Sequence, residues 1–342
     1  MLLTERSRQF LSLSVLNLRS DRIFSVSNSE EFEKIALEVF RYQVSNCDVY
    51  NRFVNNLGID IQKVKELDQI PFLPIEFFKN QKITCSTDPA EVVFSSSATT
   101  GLNRSKHYVQ DIGFYIQSYK TAFNIFYGDV RKYTILALLP SYLEREGSSL
   151  IYMVNDLIGS SQKSDSGYFL GDFDLLKQRL QELKDSETPT ILIGVTYALM
   201  DFVERHSIEF PDLIVMETGG MKGKRPEILR AELHQLLCAG FGVPRIHSEY
   251  GMTELLSQAY SKGSGIFQTP PWMKVMVRDM NDPLSLLAYE STGGINIIDL
   301  ANIHSCSFIA TQDLGKSFPD GSFEVLGRFD HSDIRGCNLL VQ

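Results

Sequence analysis

The sequence has no CxxC pair, no basic excess and no long apolar run, and each absence removes a class of protein. Its five cysteines, Cys47, Cys85, Cys238, Cys306 and Cys337, are odd in number and scattered. That pattern suits reduced, packed thiols and argues against a disulfide framework or a zinc site. The net charge of −9 over 342 residues argues against a nucleic-acid partner, which needs a basic surface to release counterions. An acidic chain still binds a nucleotide where lysines, arginines or backbone N–H groups converge locally. Apolar runs such as TILALLP (134–140) and TILIGV (190–195) fall far short of the roughly 20 residues of a membrane span. Charges at Glu5, Arg6 and Arg8 interrupt the N-terminal apolar stretch. No secretory leader is therefore expected, and the cytoplasm is the expected location. GxxxxGK-S/T, HExxH, HxxxH and GxSxG do not occur, which excludes a Walker phosphate loop, a zinc-protease helix and a hydrolase nucleophile elbow.

What is present is an alternation of apolar runs and amphipathic stretches. NSEEFEKIALEVFRYQ (28–43) predicts a helix capped by Asn28 or Ser29, with Phe32, Ile35, Ala36, Val39 and Phe40 on one face. IPFLPIEFFK (70–79) reads as a connector punctuated by prolines. From residue 91, strands are expected at EVVFSSS, YTILALLP, TILIGV, DLIVMETGG and PRIHSEYG. Helices are expected between them at 111–128, 172–185, TYALMDFVERH and 226–240, the last with Pro226 at its start. Continuous apolar strands separated by helices imply an α/β fold, a mostly parallel sheet with helices on both faces. After about 265, short strands at WMKVMVRD, GGINIIDL, CSFIATQDLG and FEVLGRFD imply a smaller antiparallel β subdomain. The expected organisation is a helical segment over 1–90 packed on the core, an α/β nucleotide-binding core over 91–264, a β-rich subdomain over 265–330 and an arm over 331–342 carrying Cys337.

Three strand ends carry candidate chemistry. SSSATTG (95–101) is a hydroxyl-rich loop, suited to wrapping a polyphosphate or simply to solvent. METGG (216–220) ends a strand with two glycines, which either admit a flat ligand or make a tight turn. SEYGMTEL (248–255) sets an aromatic ring, a glycine, a hydroxyl and a carboxylate within five residues. It reads as a ligand loop with Tyr250 against a base, Thr253 on a phosphate and Glu254 on Mg²⁺, or as a helix start capped by Thr253.

Taken in order, the Ser/Thr loop, GG, YGMTE, ATQDLG (310–315) and GRFD (327–330) resemble the adenylate-forming superfamily. IPFLPIEFFKN, LLPSYLEREGSSLIYMV and GRFDHSDIRGCNLL further resemble the acyl-protein synthetases of bacterial luminescence operons, known as LuxE. The resemblance covers nearly the whole chain. It implies an adenylate-forming N-terminal domain that activates a fatty or other carboxylic acid with ATP and Mg²⁺, then takes the acyl group on a cysteine near its C-terminus. Cys337 stands in that place. Ser96, Ser97, Thr99, Thr100 and Gly101 would cradle the phosphates. Gly219 and Gly220 would line the adenine pocket, Tyr250 would stack on the ring, and Gly251 and Met252 would also belong to the nucleotide site. Thr253 would touch the α-phosphate, Glu254 would bind Mg²⁺, and Asp313 would take the ribose hydroxyls beside Arg328. His247 either approaches the acyl carboxylate or is a hydrogen-bonded structural histidine. In the luminescence system such synthetases work with an acyl reductase and a transferase, so an acyl reductase or acyl-carrier partner is implied. Nothing in the sequence sets the oligomeric state.

The chain departs from the superfamily pattern in four places. Ala98 stands where the phosphate loop usually has glycine. Arg104, with Lys106 two residues on, replaces the expected lysine. The ribose motif reads Thr311-Gln312-Asp313. The sequence also stops just past the hinge motif, where relatives continue into a mobile C-terminal domain; the expectation is a chain without that domain. Arg335, His331 and Arg328 lie close to Cys337 in sequence, and a cation beside a thiol raises its thiolate fraction. A ten-residue tail spans roughly 30 Å when extended, enough to carry Cys337 into a site. Alternatively Cys337, Leu339, Leu340 and Val341 pack on the second lobe. Two further readings compete with self-acylation: a ligase passing its acyl group to CoA or a carrier protein, and a non-catalytic nucleotide-binding relative.

Overall fold

The computed structural model describes residues 19–96, 104–140, 147–220 and 228–329. The chain enters through helices α1 (Ser20–Phe24), α2 (Ser29–Asn46) and α3 (Asp48–Asn56). The Asn28 side chain accepts the Glu31 N–H, and Glu31 reaches back to accept the Ser27 N–H at 3.0 Å. This reciprocal cap starts α2 where the sequence predicts, and its face from Phe32 to Phe40 is buried. The connector that follows is more than a linker. Strand β1 (Leu73–Pro74) pairs in parallel with a distant strand, and α4 (Phe77–Asn80) completes the turn. Proline is tolerated here because β1 lies at the side of the sheet, where an N–H is not required of it.

Strands β2 (Val92–Ser95) and β3 (Lys106–Val109) form an antiparallel hairpin. Helix α5 (Ile112–Tyr127) follows, capped by Asp111 and ended at Gly128, whose φ of +80° suits glycine. Then come β4 (Thr134–Leu138), α6 (Ser149–Ser161), β5 (Gly167–Tyr168), α7 (Phe173–Asp185), β6 (Thr190–Val195), α8 (Thr196–Arg205), β7 (Ile214–Thr218), α9 (Arg230–Phe241), β8 (His247–Tyr250) and β9 (Ala259–Ser261). They build one sheet in the order β5-β4-β6-β7-β8-β9, parallel except for β9 at its edge. Every residue of β4 and β6 is buried, as expected of strands covered on both faces. Helix α9 starts at Arg230, four residues later than Pro226 suggests. Leu229 is still extended (φ −63°, ψ 140°), and Arg230 is held by Glu217 on β7, which fixes where the helix begins. It also runs one residue past Gly240, to Phe241, with Gly242 in the left-handed conformation as its cap.

The remaining strands, β10 (Ile266–Phe267), β11 (Met273–Arg278), β12 (Gly293–Asp299), β13 (Phe308–Ser317) and β14 (Phe323–Arg328), form a second sheet in the order β10-β14-β13-β12-β11. All its neighbours are antiparallel except β1, which joins β13 in parallel. Trp272 sits fully buried where the layers meet. Its indole N–H reaches Ser257 Oγ at 2.9 Å and Ser118 Oγ at 3.2 Å, and Phe24 packs edge-on against its ring. Among the described residues no helix is long and apolar enough to cross a membrane.

Candidate functional site

Parallel strands end together, so whatever follows β6, β7 and β8 shares one edge. Val195 lies opposite Thr218, and Thr218 opposite Glu249. That brings the start of α8, the GG turn and the YGMTE segment side by side at the carboxyl edge, the place where open α/β sheets take ligands. Gly219 turns out of β7 at φ +60°, a conformation costly for any residue with a Cβ. Its carbonyl accepts the Thr196 hydroxyl at 2.6 Å. Gly219 and Gly220 are both exposed. A Cβ on Gly251 would come within 2.5 Å of Glu249 Oε1, so glycine there lets the strand end run close over a buried carboxylate.

Tyr250 joins the two sheets. Its hydroxyl donates to Asp313 Oδ2 at 2.7 Å, and Arg328 Nε lies 3.3 Å from the other carboxylate oxygen. Asp313 and Arg328 face one another across β13 and β14. The Tyr250 ring packs against Phe267 and Phe323. Three residues assigned to the nucleotide from the sequence thus meet in space, although 63 residues separate the first two.

Thr253 and Glu254 follow in an irregular loop, and no helix begins at Thr253. Leu255 N–H turns back onto the Met252 carbonyl, with Met252 half-buried. Two second-sheet contacts hold the loop. Asn302 donates to the Glu254 carbonyl at 2.7 Å, and Asp299 accepts the N–H groups of Leu256 and Ser257. The Glu254 side chain is 6% exposed. Burial raises its carboxyl above the ordinary value, while a hydrogen bond from Ser105 and the charges of Arg328 and Lys79 pull the other way. A buried carboxylate on this loop is of the type Mg²⁺ takes, one or two at a time, with water and phosphate oxygens filling the rest of its sphere. Among the described residues no three His, Cys, Asp or Glu side chains form a closed metal cage.

The Ser/Thr loop is clamped at its base. Ser96 N–H donates to the Ser105 carbonyl at 3.1 Å, and Ser105 N–H to Ser96 Oγ at 3.0 Å. Arg104 and Lys106 flank it, both exposed. Ser97, Thr99, Thr100 and Gly101 lie outside the described residues, as does Cys337.

His247 stands apart from this cluster. It opens β8, at the opposite end of the strand from Gly251, and its Nδ1 lies 3.1 Å from the Tyr127 hydroxyl. Burial first, then Arg245 and Lys262, lowers it to about 4, so it is neutral at pH 7.

Several site residues carried no recognised signal in the sequence. Glu217 on β7 is buried, with Arg230 at 3.2 Å and His234 at 3.7 Å. Burial pushes its carboxyl up, but His234 and Arg230 outweigh that and leave it low. Glu249 accepts the Thr218 hydroxyl on the other face. A carboxylate inside an otherwise apolar strand is the one clue the sequence offers for either. His107 on β3 bridges the layers, with Nε2 2.8 Å from Ser305 Oγ and Nδ1 3.0 Å from the Thr253 carbonyl. Complete burial lowers it from 6.5 to about 4, though the Thr253 contact opposes this. The sign follows directly. The native state resists protonation and the unfolded state does not, so the stability this group contributes is present above about 6.5 and lost as pH falls towards about 4. In urea unfolding from pH 7 to pH 4.5, the wild-type advantage over His107→Gln is expected to shrink by a few kcal/mol. A pH-independent difference would show that the fold does not lower His107 from its ordinary value.

Under the same carboxyl edge lies a narrow apolar cavity. Ile135, Ile193 and Met216 of the sheet and Val154 and Leu157 of α6 line it, with Tyr260 and Phe123 closing the sides. Because Ile193 pairs with Met216, and Val195 with Thr218 two residues on, the cavity lies on the same sheet face as Thr218 and Glu249.

No family model matches the sequence, and no curated protein does. Solved structures do. A 2-hydroxyisobutyryl-CoA ligase in its postadenylation state, with 2-HIB-AMP bound, superposes with a TM-score of 0.65 at 12% identity, over 88% of this chain and 68% of that one. The same ligase in an open conformation with 2-HIB-AMP and CoA gives 0.63. The fold is that of the adenylate-forming ligases. ATP-bound MatB from Rhodopseudomonas palustris shares it at a TM-score of 0.51 and 19% identity, over 69% of this chain. The chain spans about half the length of the MatB structures it matches, 47%.

Proposed function

We propose that this chain uses ATP to activate a carboxylic acid as its acyl-adenylate and then passes the acyl group to a thiol, with Cys337 as the acceptor. The observation that carries the reading is the junction of the two sheets. Tyr250, Asp313 and Arg328 converge there beside the exposed glycines of the β7 turn and the carboxylate of Glu254, on a fold shared with ligases whose structures hold ATP or an acyl-AMP.

In the first step a carboxylate oxygen of the acid attacks the α-phosphorus, and pyrophosphate leaves with its bonding electrons. Negative charge grows on the departing oxygens, and the Arg104 and Lys106 cations at the loop base would oppose it. Glu254 is the residue that would hold Mg²⁺, which supplies charge neutralisation at the phosphates. Thr253, on the same loop, would donate to an α-phosphate oxygen, and Asp313 would accept the ribose hydroxyls. In the second step a thiolate attacks the acyl carbonyl and AMP leaves.

The test is the intact mass of the protein after incubation with ATP, Mg²⁺ and fatty acids of graded length. The expected result is one hydroxylamine-labile acyl adduct, lost in Cys337→Ser while ATP–pyrophosphate exchange persists. Equal labelling of Cys337→Ser removes Cys337 as the acceptor. Product that forms only with added CoA or a carrier protein makes the chain a transferring ligase. No exchange with any fatty or aromatic acid rejects the adenylation reading and leaves a non-catalytic relative.

A further inference from the structure

Asp313 sits on an irregular stretch of the second sheet, and one buried arginine supplies what the ladder there does not. Across β12 and β13, Gly294 lies opposite Leu314, but Asn296 lies opposite Ala310. Between these pairs β12 has only Ile295, while β13 has Thr311, Gln312 and Asp313. Extra residues on one strand bulge from the ladder and re-aim a side chain. Here the re-aimed side chain is that of Asp313, which reaches Tyr250 on the other sheet. A bulge also leaves main-chain carbonyls without their cross-strand N–H, an expensive state in a buried sheet.

Arg278 on β11 fills that gap. It is buried and stands opposite Gly294. Its side chain crosses over this glycine towards β13: a Cβ on Gly294 would lie 2.6 Å from the guanidinium Cζ. One terminal nitrogen donates to the Ile295 carbonyl and to Asn296 Oδ1, both at 2.8 Å, and the other donates to the Thr311 carbonyl at 2.5 Å. The Thr311 hydroxyl also donates to the Ile295 carbonyl, and it accepts the Asp313 N–H at 3.1 Å. Phe329 completes the frame. Its N–H donates to the Gln312 carbonyl, and its ring centre lies 5.6 Å from the guanidinium. Burial lowers Arg278 to about 10, with Glu76 and Asp313 opposing, so it remains a cation at neutral pH. A planar fork with fixed donor directions suits three acceptors at set positions, and a lysine ammonium on a flexible stem does not reproduce it.

We propose that Arg278 is a positioning residue for the nucleotide: through the Ile295 and Thr311 carbonyls it holds the bulge that aims Asp313 at the ribose hydroxyls. It touches no substrate itself. Its effect passes through one carboxylate, so it governs the preference for a sugar that carries those hydroxyls and leaves the rest of the nucleotide alone. The proposal rests on the adenylation reading, in which Asp313 takes the ribose.

Calorimetric binding of ATP and of 2′,3′-dideoxy-ATP to the full chain separates this role from a merely structural one. The wild type is expected to bind ATP roughly ten- to a hundredfold more tightly, the worth of hydrogen bonds to a charged group. In Arg278→Lys, which keeps the charge and loses the fork, that preference should shrink to within about threefold, with dideoxy-ATP bound as in the wild type. Amide hydrogen exchange over residues 311–315 should rise in the same variant and stay unchanged over β4 and β6. Should Arg278→Lys fail to fold, Gly294→Ala tests the same link, because its methyl group displaces the guanidinium and leaves Arg278 in the chain. Equal losses for both nucleotides, or no loss, overturn the positioning role, while the wild-type preference still upholds the ribose reading. Unchanged amide exchange over 311–315 overturns the hold on the bulge. A wild type without preference between the two nucleotides overturns the assignment of Asp313 to the ribose and this role with it; ATP–pyrophosphate exchange judges the adenylation reading separately.

Discussion

Replacing Glu254 by glutamine is expected to lower ATP–pyrophosphate exchange by roughly a hundred- to a thousandfold, the usual cost of removing one preorganised electrostatic group, and to leave the fold intact. Glutamine keeps the size of the side chain and an acceptor for Ser105, and it leaves the Glu254 carbonyl on Asn302 undisturbed. What it removes is a negative charge that burial already disfavours. Native stability should therefore hold or rise slightly, since an incompletely paired buried charge costs more than a neutral amide. Activity and stability then move in different directions. Exchange within twofold of wild type, with the thermal midpoint unchanged, would show that the carboxylate takes no part in charge neutralisation.

The second large effect is on the frame of the same loop. Asp299 is fully buried at the end of β12 and accepts four bonds: the N–H groups of Leu256 and Ser257 at 2.9 Å, that of Ala301 at 3.0 Å and the Ser257 hydroxyl at 2.6 Å. Asn302 Oδ1 shares the Leu256 N–H, so one donor keeps a partner when the carboxylate goes. Asp299→Ala leaves the others in a dry interior, at about 1–3 kcal/mol for each orphaned group, so a loss of about 3–5 kcal/mol in urea unfolding is expected. Exchange should fall with it, because the loop from Thr253 to Ser257 loses its anchor. Asp299→Asn should recover part of the stability, since its amide oxygen still accepts. A loss under about 1 kcal/mol would mean that water or a rearranged side chain replaces the carboxylate. Burial raises Asp299 to about 6, against those same donors. Its contribution to stability therefore falls as pH rises through that range, opposite in sign to His107. The histidine effect has to be measured as a difference between variants.

The scaffold was legible because its strands are apolar runs and its helices are amphipathic, and both patterns are local. TILALLP and TILIGV became β4 and β6, and the Asn28 cap appeared where the sequence placed it. The resemblance also picked out Tyr250, Asp313 and Arg328, which the fold brings together. What escaped notice was non-local. Pairing of β1 with β13 joins residues 73 and 309, and no pattern around Leu73 signals it. Glu217, Glu249, His107 and Asp299 each look like an ordinary polar residue until the strand across from them is known. His247 opens β8 and meets the Tyr127 hydroxyl, in keeping with the hydrogen-bonded histidine that is one of its two readings.

The Tyr250–Asp313–Arg328 bridge has a bearing on how a ligand is admitted. Each oxygen of the Asp313 carboxylate makes one of these contacts, which leaves half of its roughly four lone-pair sites for another donor. A sugar hydroxyl that comes to Asp313 therefore adds to the bridge without displacing the phenol or the guanidinium. A ligand held at the junction and the tie that latches one sheet to the other thus share a single carboxylate.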